Sequence, residues 1–134
     1  MSSVLVPVHY PLSAHSRKTL ERAVEIAEER GMTLIVLHVN LYQNGDNVTR
    51  SQLKRAVEEV VGRLPFVRYS ITQGFLVEEA ILEEVASERA ETVVIGHKQL
   101  GRWRRAFNRL VDDPDIADYL EERVDCDVIV VSSS

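Results

Sequence analysis

Short apolar runs alternate along this chain with longer stretches whose apolar residues recur at helical spacing. The first run, Ser3 to Val8 (SVLVPV), is rich in valine and reads as a strand buried on both faces. Pro7 cannot donate to a ladder, so it belongs near the strand end or on a side facing no partner. A helix follows, capped by Ser13 or Ser16, with Leu20, Ala23, Val24 and Ala27 on its buried stripe. Gly31 closes it, since glycine enters the left-handed region without steric cost. Thr33 to Val39 (TLIVLHV) is a second, nearly continuous apolar strand.

Asn44 to Asn47 is rich in turn residues, and Thr49 to Gln52 has the form of a capping box. The helix it opens runs toward Arg63, with Leu53, Ala56, Val57, Val60 and Leu64 on one face and Pro65 marking its end. Val67 to Thr72 alternates apolar and polar residues, as a half-exposed edge strand does. A helix from Leu76 to Arg89 buries Val77, Ile81, Leu82 and Val85. Thr92 to Ile95 is the fourth strand, closed by Gly96. A polar, basic segment reaches Leu110, and Asp113-Pro114-Asp115 opens a last helix with aspartate at the cap and proline at the first position. Val128 to Val131 is the final strand. Helix-length connections join parallel strands, so the pattern predicts an α/β domain with an open parallel sheet between helical layers.

Composition adds bounds to this picture. The 134 residues fit one domain, here 1–134, and 45% hydrophobic with 28% charged residues is ordinary for a globular protein. A net charge of -5 argues against nucleic acid or an anionic membrane as a general partner. No apolar stretch reaches the length of a membrane span, and the opening run is too short for a signal-peptide core. The single cysteine, Cys126, excludes an internal disulfide framework and a multi-cysteine zinc site. A cytoplasmic protein is the expectation.

Open parallel sheets bind ligands beyond the carboxyl ends of their strands, where strand order reverses. The loops that matter therefore follow Val8, Val39, Thr72 and Ile95. The first carries His9, Tyr10 and Ser13. The last carries Gly96, His97, Lys98, Gln99 and Gly101, then Arg102, Arg104, Arg105 and Arg109, with no acidic residue from Thr92 to Val111. Such a block can hold a phosphate by charge-assisted hydrogen bonds, although it also reads as a solvated surface segment. Gly96 to Gly101 has the glycine spacing of a P-loop, but Arg102 and Trp103 stand where lysine and Ser/Thr are required. Trp103 and Phe107, four apart, read as the buried face of a short helix. His38 reads as a hydrogen-bonded core histidine and Cys126 as a small buried hydrophobe. His9 and His97 lack a third metal ligand, and no catalytic set assembles around Ser13 or Ser16.

Taken in order, Val4 to Asn40 (VLVPVHYPLSAHSRKTLERAVEIAEERGMTLIVLHVN), Glu91 to Trp103 (ETVVIGHKQLGRW) and Cys126 to Val131 (CDVIVV) resemble a universal stress protein of the UspA type. The resemblance covers almost the whole chain. It implies a Rossmann-like sheet of five parallel strands in the order 3-2-1-4-5, with His9 beside Gly96 at the switch point. It also implies a homodimer through the C-terminal strand Val128, Ile129, Val130 and Val131. Many members bind ATP, and this chain departs from their pattern. His9 replaces the aspartate after the first strand, Gln99 replaces the second glycine of the phosphate run, and Pro114 and Asp115 replace the Gly-Ser pair at the last helix. Proline removes a donor there, and Asp112, Asp113 and Asp115 oppose a phosphate. Val39 retains the position of an adenine contact.

The leading expectation is a non-enzymatic stress-response or regulatory module, dimeric, with no assured cofactor. It would bind a partner protein or a small anion and would not bind ATP in the standard way. The anion or nucleotide site would comprise His9, Val39, Gly96, His97, Lys98, Gln99, Gly101 and Arg102. The alternative is an ATP-binding member with an altered phosphate loop, in which Arg102, Arg104 and Arg105 replace the glycine amides. A nucleotide-processing enzyme is a more remote alternative.

Overall fold

The computed structural model describes residues 2–97, 105 and 126–131. Its elements run β1 (Ser3–Pro7), α1 (Ala14–Arg30), β2 (Thr33–Leu41), a single 3-10 turn (Tyr42–Asn44), α2 (Arg50–Val61), β3 (Val67–Gly74), α3 (Val77–Glu88), β4 (Thr92–Gly96) and β5 (Asp127–Val131). All pairings are parallel and the sheet order is β3-β2-β1-β4-β5, as the sequence pattern and the resemblance imply. Strand order reverses beside β1, whose neighbours are β2 on one side and β4 on the other. The helix expected from Asp113 onward lies outside the described residues, as do Trp103 and Phe107.

Alternation along the central strands builds two apolar layers. Val4, Val6 and Val8 join Leu34 and Val36 in packing with Leu20, Ala23, Ile26 and Ala27 of α1 and Leu53 and Val57 of α2. Leu5, Ile35, Leu37 and Val39 point the other way, into a layer with Ile81, Leu82 and Val85 of α3. β1 is buried along its whole length, which is why it reads as a continuous run rather than an alternating one. Each fully buried leucine, isoleucine or valine contributes ~1.5–3 kcal/mol of transfer free energy, so these layers carry most of the driving force.

Local chemistry sets the element ends. Ser13, not Ser16, caps α1: its side chain accepts from the Ser16 amide, and Gly31 at φ 62° closes the helix. Ile26 takes the buried place on α1 that the sequence pattern gave to Val24, which is half-buried. The Thr49–Gln52 capping box forms reciprocally at α2. Gly62 at φ 78° ends α2 before Pro65 is reached, and only Leu53 and Val57 of the expected face are fully buried. α3 stops at Glu88 with Arg89 left-handed at φ 52°, and Val77 is half-buried rather than core. β2 and β3 each run two residues past the expected ends, to Leu41 and Gly74. Their mutual register explains this: Asn40 and Leu41 pair with Gln73 and Gly74. Cys126 is partly exposed, packing at the rim of the α3-side layer rather than inside it.

Candidate functional site at the switch point

The carboxyl ends of β1, β2, β4 and β5 converge with the first turn of α1 and the start of α3 on one cavity of about 210 Å³. Four of the expected site residues, His9, Val39, Gly96 and His97, line it. The other four, Lys98, Gln99, Gly101 and Arg102, lie outside the described residues, as do Pro114 and Asp115. A larger, shallower depression of about 810 Å³, lined by Arg50, Lys54 and Arg63, lies toward the start of β3, away from the strand ends where ligands of this architecture sit.

The sequence reading missed His15, Ser16, Thr19 and His38 as lining residues. The signal that could have found the α1 group is the Ser13 cap. A cap at that position aims the first helical turn back at the exit of β1, which brings Ser16 and Thr19 to the cavity. The Ser16 hydroxyl accepts from the His9 amide at 3.1 Å and from the Ser13 hydroxyl at 3.2 Å. The Thr19 hydroxyl donates to the His15 carbonyl at 2.8 Å. These bonds tie the β1 exit loop to the helix start and fix the rim near His9. Ser16 Oγ thus accepts from a backbone amide and from another hydroxyl.

His38 is buried as expected. Its Nδ1 lies 3.2 Å from the Val8 carbonyl, which can only accept, so Nδ1 is the donor of this bond. The ring's Nε2 is one of two buried side-chain polar atoms without a hydrogen-bond partner among the described residues. The other, Ser3 Oγ, belongs to the opposite end of β1. The Tyr10 ring stands edge-on to His38, with centroids 6.1 Å apart. Gly96 is not demanded by space: a Cβ there would meet Thr19 Oγ1 at an ordinary 3.8 Å. It is partly exposed at the end of β4, in register with Val131 of β5. No group of three metal-ligating side chains occurs among the described residues. No described helix is long and apolar enough to cross a membrane.

The chain is similar to solved universal stress proteins over nearly its full length. One, in complex with cAMP, is 18% identical with a TM-score of 0.63, covering 99% of this chain and 98% of that one. A second, from Archaeoglobus fulgidus, is 16% identical with a TM-score of 0.64, covering 97% and 98%. A third, from Archaeoglobus fulgidus in complex with dAMP, is 15% identical with a TM-score of 0.61, covering 97% of each. At these identities the likeness establishes the fold. No curated protein matches the chain significantly. The model of the universal stress protein family matches residues 1–132, and this chain belongs to that family.

Proposed function

We propose that this protein is a non-enzymatic regulatory module that takes a small nucleotide-like anion into the switch-point cavity and does not hold ATP in the family's usual way. The observation that carries this reading is the convergence of His9, Val39, Gly96 and His97 on one cavity at the strand ends. Its volume of about 210 Å³ falls below the ~300–1,000 Å³ of pockets that enclose drug-sized ligands, so it would enclose only part of a nucleotide, with the remainder lying outside it. Two universal stress proteins of the same fold are described in complex with cAMP and with dAMP, which supports a monophosphate as the ligand class. The departures from the ATP-binding pattern at His9, Gln99, Pro114 and Asp115 argue against a triphosphate.

A binding role suits the cavity better than catalysis. Its described lining holds imidazoles and hydroxyls but no carboxylate to orient an imidazole as a base, and its serine serves as an acceptor for the β1 exit loop and the helix cap. As a regulatory module it would act as a homodimer through β5, the outer strand of the sheet beside β4. The whole chain, 1–134, would form one such domain. Calorimetry with cAMP and with ATP plus magnesium separates the readings. Binding of cAMP with weak or absent ATP binding is the expected result. Tight ATP binding that is abolished by changing Arg102, Arg104 and Arg105 would establish the altered-loop alternative instead.

A further inference from the structure

β3 is an outer strand of the sheet, and none of its residues is fully buried. One bond gives the direction of its backbone groups: the Leu34 amide donates to the Phe66 carbonyl at 2.9 Å. In a parallel ladder the N–H and C=O of one residue point to the same side, and successive residues alternate. Arg68, Ser70 and Thr72 therefore bond to β2, while Tyr69, Ile71 and Gln73 turn their backbone groups to the open side. Such a row is a template on which another extended chain can pair.

The two faces of this edge differ in charge. Val67, Tyr69 and Ile71 pack on the layer of α1 and α2, and beside them lies the wide depression lined by Arg50, Lys54 and Arg63. Arg68, which also borders the depression, pairs with Glu88 of α3 at 2.8 Å, and Ser70 donates to Glu84 of α3 at 2.9 Å. On the basic face Arg50 and Lys54 stand one turn apart on α2 and so share a side of the helix. Both are exposed, and neither forms an ion pair among the described residues. Arg63 meets Glu58 at 3.4 Å but its side chain is 89% exposed. An exposed pair of that kind contributes only ~0–1 kcal/mol, which leaves the guanidinium open to a better partner. These cations gather in a chain whose net charge is -5.

Charge also selects the occupant. A second copy of β3 brought to this edge would carry its own arginines and lysine against these, and like charges facing across a strand pair are destabilising. A strand of opposite sign meets attraction instead, so the same residues reject one partner and accept another. We propose that β3 is a docking edge for a partner protein, which adds to it an extended segment with acidic side chains at alternate positions. Successive side chains of an added strand point to opposite faces of the sheet. Those on the α2 face carry carboxylates over Arg50, Lys54 and Arg63 beside the first half of β3. Those on the α3 face are uncharged, because Glu84 and Glu88 stand there. Backbone pairing supplies affinity and the alternate carboxylates supply specificity. This surface is separate from the switch-point cavity and does not depend on what that cavity holds.

The probe is a peptide alternating glutamate with threonine, as long as the eight residues of β3, added to the full-length protein at low ionic strength. The expected result is saturable amide NMR shifts at residues 50–54 and 63–71, with slowed hydrogen exchange at the amides of Tyr69, Ile71 and Gln73. An isomer of the same composition with its glutamates grouped at one end should bind at least about fivefold more weakly. Arg50→Glu/Lys54→Glu should weaken binding of the alternating peptide by at least about tenfold. Both side chains are exposed and glutamate suits the first turn of a helix, so this variant keeps its native circular dichroism. No saturable shifts at millimolar peptide would overturn the proposal. So would equal binding of the two isomers, or shifts at α2 without slowed exchange at those three amides. Tighter binding of a single-stranded oligonucleotide than of the peptide would also overturn it and assign the basic surface to nucleic acid.

Discussion

Tyr69 shows how a single side chain reports its surroundings. It is half-buried on β3, packed at the edge of the layer under α1 and α2. Loss of hydration, with a smaller contribution from the Glu58 carboxylate, holds its phenol above the ordinary value near 10. A raised folded-state pKa means that the folded protein keeps the proton where the unfolded chain loses it. The stabilisation is thus fully present below about pH 10 and disappears as pH rises through the folded value. A Tyr69→Phe variant should lose less stability than the parent between about pH 9.5 and 11 in urea titrations, a steeper loss being the contrary result. At the same scale, sequence reading located His9, Gly96 and His97 because they stand at or just beyond strand ends, and Val39 through the family resemblance, but it passed over His15 and His38 as lining residues. His38 was legible only as a core residue, since its free Nε2 depends on which ring edge meets Val8. His15 needed the choice between the Ser13 and Ser16 caps, which fixes the direction of the helix start.

At the scale of elements, burial pattern and strand position agree. β1, β2 and β4 are almost wholly buried and read as continuous apolar runs, while β3 alternates and lies at the edge. Strand identity was therefore legible, whereas strand ends were not. β2 and β3 extend because they pair with each other beyond the point where the apolar pattern stops. The opposite edge is β5, whose Val128 to Val131 are only partly covered within one chain. Ile129 packs at the border of the α1-side layer, so its replacement by a charge perturbs the edge more than the core. If β5 joins two copies, Ile129→Lys should shift the protein to monomer in sedimentation equilibrium while retaining its helical circular dichroism. A dimer of unchanged strength would remove β5 from the interface.

For the whole molecule, the sheet order places the exits of β1 and β4 next to each other, and the switch-point site follows from that adjacency. The order itself was read from resemblance, because periodicity reports that strands are buried but not which strands are neighbours. The central claim is a location: a nucleotide-like anion enters among the strand ends. Amide chemical-shift mapping during a cAMP titration at pH 6 measures this directly. The account predicts saturable shifts concentrated at residues 8–9, 15–19, 38–39 and 96–97, with the amides of α2 and the start of β3 unmoved. Saturable shifts centred instead on Arg50, Lys54 and Arg63, or no shifts at millimolar cAMP, would contradict it.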